Sequence, residues 1–278
     1  PTGLTVSGTG SVQLSGANTF TGKIQLNAGV LAIQSDNNLG AVPAALVEDA
    51  ITLDGGTLKF NPSAASNLAL AANRGITLGA SGGTIDTTPI TSSFTATVAG
   101  EIPGNGDLTV FANGDPPDTG GGFSGAAVLS GYGTFFGNTT IKSGVVTMDS
   151  FFGDSSNPVT LDGGGIVDQN HNNTFSHDIR IAAGGGVIRS YGSTTSTISG
   201  VISNAPGVAN ASIRLTDAGI RVLSGDGSAF AGTITNSRGT LYVDSPDWSG
   251  TNLVSVDAAE VRFGSGTVSK IKSIATDN

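Results

Sequence analysis

The stretch "LSGANTFTGKIQLNAGVLAI", residues 14–33, occurs three times in related form in this chain of 278 residues. It returns as "LSGYGTFFGNTTIKSGVVTM", residues 129–148, and with one extra residue as "LSGDGSAFAGTITNSRGTLYV", residues 223–243. The copies keep their glycines and apolar positions, while most polar positions change. Glycine supplies the conformations that corners need, and regularly spaced apolar residues supply a buried face, so the pattern indicates a repeated structural unit.

A longer order repeats between the copies. "ITLDGGTLKF" at 51–60 follows the first copy, "VTLDGGGIVD" at 159–168 follows the second, and "VSVDAAEVRF" at 254–263 follows the third. We therefore expect a single β-helix segment of about two and a half superunits. Its boundaries are 1–13 (the end of a preceding unit), 14–128, 129–222 and 223–278 (a partial unit).

The apolar residues alternate with polar ones in short runs, as in Ile24-Gln-Leu26 and Leu31-Ala-Ile33. A period of two gives each strand one buried face and one wet face. A short strand with a corner buries its apolar face only when units stack, so the sequence predicts an all-β, right-handed parallel β-helix, a solenoid forming a single elongated rod. Helical signals are weak and confined to 43–50 and 63–73. The residues expected to point inward include Ile24, Leu26, Leu31, Ile33, Leu53, Leu58, Ile181 and Val222.

The repeats also predict which corners are equivalent. We expect Gly16, Gly131 and Gly225 to occupy equivalent backbone positions, and Gly22, Gly137 and Gly232 to do the same. The extra residue before Phe230 should widen a corner, because a register slip would turn the following apolar residues outward.

The first copy, followed by "LDGGTLKF", resembles the passenger-associated β-strand repeat of bacterial autotransporters. The resemblance covers nearly the whole chain, although the third copy has its extra residue and carries Ala258 and Ala259 where the others have two glycines. It implies a β-helical stalk, exported through the outer membrane and exposed at the bacterial cell surface or secreted, which often carries or forms an adhesin. It brings no catalytic residues to carry over, and export would depend on a translocator outside this chain.

Composition excludes several classes of protein. The chain has no cysteine, so its stability does not come from disulfides. The net charge is −9, and the 12 Lys and Arg residues are scattered singly, which argues against nucleic acid as a partner. We expect no metal or other cofactor.

Three aspartates follow the same apolar position in successive units: Asp54, Asp162 and Asp257. A catalytic carboxylate would occur once, whereas one that recurs at each register is typical of a corner residue bonding its own backbone.

Both histidines lie in one polar segment, "DQNHNNTFSHDIRI". His171 and His177, with Asp168 and Asp178, are candidate metal ligands or acid–base groups. Their spacing fits no zinc motif, which favours a solvated loop.

The candidate ligand contacts are five residues. Asp115 and Asp118 lie in a loop rich in proline and glycine at 113–122, where carboxylates and free carbonyl groups are able to hold a cation or a partner. Since adjacent strand residues face opposite ways, and Phe135 and Phe152 align with core positions, Phe136 and Phe151 are expected to be exposed, with Tyr132 nearby. Exposed aromatics on a repeat protein are typical of a sugar or protein contact.

The sequence therefore predicts a non-enzymatic structural stalk that acts as spacer and folding scaffold. One alternative is an adhesin that binds a host or matrix glycan or protein through these residues. A second alternative is a β-helical enzyme that degrades polysaccharides, although no converging set of carboxylates is evident. Self-association of rods end to end into fibres is a further expectation.

Overall fold

The computed structural model describes residues 2–91, 94–113, 126–131, 133–147, 150, 152–168, 171–245, 248, 253–256, 260–263 and 273–276. Within these residues the chain is all-β, with 28 strands, one short 3-10 turn at Asp36–Leu39 and no α-helix. Across the same residues, no helix has the length and apolar character needed to cross a membrane. The described residues form two compact units, one up to Asn157 with the exception of Thr147, and the other from Pro158 onward.

The first unit contains three ladders of parallel strands, named here A, B and C. Ladder A consists of β1 (Leu4–Val6), β3 (Ile24–Leu26), β5 (Val47–Leu53) and β8 (Arg74–Leu78). Ladder B consists of β2 (Ser11–Leu14), β4 (Val30–Ile33), β6 (Thr57–Phe60), β9 (Gly83–Asp86), β11 (Leu108–Phe111) and β13 (Thr139–Ser143). Ladder C consists of β7 (Leu68–Leu70), β10 (Ala96–Val98), β12 (Ala127–Leu129) and β14 (Val145–Thr147), of which the last residue belongs to the second unit.

The second unit contains three parallel ladders of the same kind, named D, E and F. Ladder D consists of β15 (Val159–Leu161), β18 (Ile179–Ile181) and β21 (Ile202–Asn204). Ladder E consists of β16 (Gly165–Asp168), β19 (Gly186–Ser190), β22 (Ala211–Thr216), β24 (Gly232–Asn236), β26 (Leu253–Val256) and β28 (Ser273–Thr276). Ladder F consists of β17 (Thr174–Phe175), β20 (Thr195–Ile198), β23 (Ile220–Leu223), β25 (Thr240–Val243) and β27 (Glu260–Phe263).

The core of each unit is made of apolar columns that run across the ladders. In ladder B, one such column stacks Leu31, Leu58, Ile85, Val110 and Ile141, all fully buried. Burial of these side chains away from water is the main stabilising term for strands this short. Both stretches with weak helical signals contain strands, β5 and β7, because pairing buries their alternating apolar residues.

Seven of the eight residues predicted to point inward are at most 1% exposed. The prediction for Val222 is wrong, because this side chain is half-buried and its neighbours Arg221 and Leu223 point inward. Leu223 stacks between Ile198 and Val243, and this apolar column fixes the orientation of the whole strand.

Each copy of the repeat begins and ends on strands that pair with each other. In the first copy β2 pairs with β4, and the chain passes through β3 in between. In the second copy β12 pairs with β14 through β13, and in the third β23 pairs with β25 through β24. One copy of the repeat is therefore one turn of chain laid on the strand where it started.

The predicted equivalence of corners is confirmed only in part. An added Cβ at Gly131 would overlap the carbonyl oxygen of Gly100, and one at Gly225 would overlap that of Gly200. At Gly16 an added Cβ meets nothing within 4 Å. Gly16 follows β2, which is the edge strand of ladder B, so no described backbone stacks against it.

The second set of glycines behaves as predicted. Gly22, Gly137 and Gly232 each approach the backbone of an earlier turn too closely for a side chain.

The extra residue before Phe230 is absorbed in a turn in which the amide of Phe230 donates to the carbonyl of Gly227 at 3.0 Å. Ile234 after the turn remains buried, as Ile24 is in the first copy, so the register does not slip.

Candidate functional site: an exposed aromatic corner

Phe136 is the one predicted ligand contact that falls within the described residues. Asp115, Asp118, Tyr132 and Phe151 lie outside the described residues, and their predicted role stays a prediction. Phe136 is 65% exposed, the largest exposure among the bulky apolar residues that the structure describes.

The backbone at Phe136 is held on both sides. Its amide donates to the carbonyl of Gly104 at 3.0 Å, and its carbonyl accepts from the side-chain amide of Asn157 at 2.7 Å. The preceding residue, Phe135, points inward and is fully buried, as is Phe152. The exposed ring of Phe136 therefore projects from a rigid corner, as expected when adjacent residues face opposite ways.

The repeat itself shows that the fold does not require an aromatic side chain at this corner. The residue equivalent to Phe136 is Thr21 in the first copy and Ala231 in the third. Both of these copies form the same strand–corner–strand arrangement. Phe136 is thus a departure from the repeat at a position where structure alone is satisfied by a small residue.

Polar side chains surround the Phe136 corner. Asp107 accepts from the backbone amide of Asn138 at 2.8 Å and from its side chain at 3.3 Å. The amide of Asp154 donates to the carbonyl of Phe135 at 3.0 Å, and the carboxylate of Asp154 accepts from the amide of Ser156 at 2.8 Å. Asn105, Asp107, Asn138 and Asp154 are all exposed. The corner therefore combines one apolar ring with several amide and carboxylate groups.

A separate cleft of about 300 Å³ lies in the first unit, bounded by 21–23, 41–44, Val47, Ala50 and Arg74. Arg74 is only 3% exposed, pairs with Asp36 at 3.0 Å and donates to the carbonyls of Leu39 and Gly40 at 3.0 and 3.2 Å. This guanidinium is committed to holding the 3-10 turn, so it is not available to a ligand. The other walls of the cleft are largely small or apolar.

The wall of this cleft is not among the sites predicted from the sequence. "AVPAAL" at 41–46 is apolar and mostly exposed, whereas the equivalent segment after the second copy is "DSSNP" at 154–158. A comparison of these two segments in the sequence would have revealed the apolar wall of the cleft.

The recurring aspartates are structural, but their partner differs from the predicted one. Asp54 accepts from the amide of Ser81 at 2.7 Å, and Asp162 accepts from the amide of Gly184 at 3.0 Å. Each carboxylate therefore bonds the backbone of a later turn and not its own. Hydrogen bonds from the backbone amide and the side chain of Ser81 lower the pKa of Asp54. Asp257 lies outside the described residues.

The segment with both histidines is not simply a solvated loop. Asp168 is fully buried and accepts from the amides of His171 and Asn173 at 3.0 and 2.7 Å, and from the hydroxyl of Ser196 at 3.3 Å. Asp178 accepts from the amide of Val201 at 2.8 Å. His171 is exposed.

The described residues contain no group of three or more His, Asp or Glu side chains placed to hold a metal ion. Several aspartates instead form single ion pairs with lysine or arginine side chains. Asp86 pairs with Lys59 at 2.8 Å, and Asp217 pairs with Arg189 at 2.8 Å.

Short parallel strands, stacked columns and a repeated turn of chain define an all-β repeat protein. Residues 4–33 match the family described as passenger-associated-transport-repeat, so the chain carries a repeat of a passenger-domain family. The match begins at the first residue of β1 and ends at the last residue of β4, which covers the strand pairs β1–β3 and β2–β4. No curated protein matches the chain, and no solved structure does.

Proposed function

We propose that the chain is a stretch of right-handed parallel β-helix that serves as a non-enzymatic stalk, spacer and folding scaffold. It belongs to an exported, autotransporter-like protein that is exposed at the cell surface or secreted. The observation that carries this proposal is that the residues of the family match, 4–33, form the paired strands β1–β3 and β2–β4, so that the chain returns onto the strands where it started. The second and third copies repeat the same arrangement of strands.

The solenoid is supported by how the strands pair. Leu31 pairs with Leu58, and Leu58 with Ile85, so each strand lies on the strand one turn earlier in the sequence. Connections between parallel strands of one sheet are right-handed in about 98% of cases, which favours the right-handed form. Such a body needs only contacts between neighbouring turns, and a spacer of any length is built by adding turns.

Export is tested by antibodies raised against this chain and applied to cells of the organism that produces it. We expect labelling of intact cells or recovery of the antigen from the medium. Labelling that requires permeabilised cells would contradict the proposal. Small-angle scattering of the purified chain tests the solenoid, and we expect an elongated particle.

The enzyme alternative is tested separately, by incubating the chain with acidic polysaccharides and measuring released reducing ends. Release above that of a heat-denatured sample would favour it. The adhesin alternative is favoured by one observation among the described residues, the exposure of Phe136.

A further inference from the structure

We propose that the corner around Phe136 is a binding site for neutral saccharides. The ring of Phe136 forms the stacking platform, and Asn105, Asp107, Asn138 and Asp154 supply the polar contacts. This inference deepens the adhesin alternative and does not depend on the stalk function.

The geometry brings these groups together from three successive turns of chain. The bond from the amide of Phe136 to the carbonyl of Gly104 places the backbone of 104–105 against Phe136 on one side. The bonds from Asp154 to Phe135 and from Asn157 to Phe136 place 154–157 on the other side. Asn138 lies two residues beyond the ring and is tied to Asp107 at 2.8 Å. Residues of the preceding and the following turn therefore lie on either side of Phe136, which remains 65% exposed.

The chemistry of these groups fits a sugar ring. The apolar face of a pyranose packs on the face of an aromatic ring, while its hydroxyl groups point outward around the edge. Asparagine supplies both donors and acceptors, and an ionised aspartate supplies acceptors only. Small-molecule sites combine an apolar surface with a few placed polar groups in the same way.

Charge selects the class of sugar. The segments 104–107, 136–138 and 154–157 contain two aspartates and neither lysine nor arginine. An acidic saccharide would meet like charge without a compensating cation. Neutral saccharides are therefore the expected ligands.

A protein partner fits the corner less well. The centre of a protein interface clusters several aromatic or arginine side chains in a well-packed patch. Among the described residues of these three segments, Phe136 is the single exposed aromatic residue, and its neighbours are Asn, Asp, Ser and Gly.

The test measures binding of oligosaccharides to the full chain by titration calorimetry or ligand-observed NMR. The probes are cellotetraose, laminaritetraose and maltotetraose, with sialyllactose as the acidic comparison. Phe136→Thr installs the residue of the first copy at this position, which the repeat tolerates. Phe111→Thr is the matched control, since Phe111 is also exposed but lies at the last residue of β11, away from this corner.

We expect at least one neutral tetrasaccharide to bind with a Kd of about 1 mM or tighter, as a single shallow site allows. Phe136→Thr should weaken this binding by about tenfold or more, with an unchanged unfolding midpoint, and Phe111→Thr should leave it unchanged. The proposal would be overturned if Phe136→Thr and Phe111→Thr bound the neutral tetrasaccharide equally well. Tighter binding of sialyllactose than of the neutral probes, or no binding of any neutral probe, would also overturn it. A protein ligand lost in Phe136→Thr, with no saccharide bound, would overturn it while leaving the adhesin alternative standing.

Discussion

Glycine plays a distinct role just before the third strand of each repeat copy. Gly29, Gly144 and Gly239 occupy this equivalent position, with φ values of 68°, 58° and 70°. Side chains with a Cβ are disfavoured in this left-handed region. This requirement explains why all three copies keep the glycine although the residues around it change.

Replacing Gly144 by alanine should therefore be costly. The alanine would have to adopt the left-handed backbone conformation of Gly144, and its Cβ would overlap the carbonyl oxygens of Ala112 and Asn113. We expect Gly144→Ala to lower the free energy of unfolding by about 2 kcal/mol or more, measured by urea denaturation. Gly16→Ala is the control, since nothing lies within 4 Å of its added Cβ, and its effect should stay within about 0.5 kcal/mol. Equal losses in the two variants would contradict this account.

Asp54 should make stability depend on pH in the acid range. Hydrogen bonds from Ser81 lower its pKa in the folded state below the ordinary value of 3.8. A group whose folded pKa is depressed contributes stability that is present above the unfolded pKa and is lost as pH falls through the folded pKa. We expect the wild-type chain to be more stable than Asp54→Asn at neutral pH, with the difference shrinking below pH 3.8. A difference that stays constant down to the acid transition would refute this role for the carboxylate.

Among the strands, β23 is unusual because a charged side chain occupies its buried face. Arg221 is fully buried and donates to the carbonyls of Thr216 and Asp217 at 2.7 and 2.9 Å, to the side-chain oxygen of Asn236 at 2.8 Å and to the carbonyl of Arg238. Burial lowers the pKa of Arg221 to about 10, an effect that nearby Asp217 partly opposes. The guanidinium thus remains charged at neutral pH and ties together two corners of the second unit.

Replacing Arg221 by methionine should destabilise the protein even though methionine is apolar. The substitution leaves buried carbonyl groups without donors, and breaking such a buried polar network costs about 3–5 kcal/mol. Urea denaturation measures the loss, and Arg221→Lys should restore little of it because lysine lacks the planar fork of donors. Arg180→Met on β18 is the control, at a half-buried outward position, with an expected effect near zero. A neutral Arg221→Met would show that the network adds nothing.

The orientation of β23 shows why alternation alone is insufficient. In its sequence, Ile-Arg-Val-Leu, one face carries the two apolar residues at 220 and 222, and the other carries Arg221 and Leu223. Both faces thus contain apolar residues, so either face is a candidate for burial. The structure buries Arg221 and Leu223 because Leu223 continues an apolar column between Ile198 and Val243. Strands with unambiguous alternation, such as β3 and β6, were predicted correctly. Alignment of Leu223 with the buried Leu129 of the second copy would have resolved the choice.

The turn before Phe230 should tolerate loss of its extra residue. Deleting Ala229 restores the spacing of the first copy, and we expect a cost below about 1 kcal/mol because Phe230 and Ile234 keep their inward positions. Deleting Thr233 instead removes one residue inside β24 and turns Ile234 outward, so it should prevent stable folding. Circular dichroism with urea denaturation compares the two deletions. Similar damage from both would mean that the turn has no spare residue.

The folded chain is divided into two compact units, and in each unit a strand contacts the strands one turn away. Stability in such a repeat protein is a sum of local terms, so damage should remain local. We expect Arg221→Met to accelerate amide hydrogen exchange in the second unit, for example at Leu215 and Leu223. Exchange at Leu31 and Leu58 in the first unit should remain that of the wild type. A uniform loss of protection in both units would instead indicate one cooperative body.

Prediction of the site from sequence succeeded only in part. Exposure of Phe136 followed from its position next to a residue aligned with the core, which is a local argument. The flanking Asn105, Asp107 and Asp154 were not predicted, because they come from other turns whose lateral alignment depends on loop lengths. Pairing of Phe136 with Gly104 became evident only from the register of the strands.

The first two copies of the repeat do not occupy the same side of the molecule. Within the first unit, the first copy begins and ends on ladder B, whereas the second begins and ends on ladder C. The stretch of chain between equivalent residues of the two copies therefore does not amount to a whole number of turns. Equivalent residues of the two copies therefore lie between different ladders. Thr21 lies between β2 of ladder B and β3 of ladder A, whereas Phe136 lies between β12 of ladder C and β13 of ladder B. Copies that lie on different ladders therefore present their exposed residues in different directions.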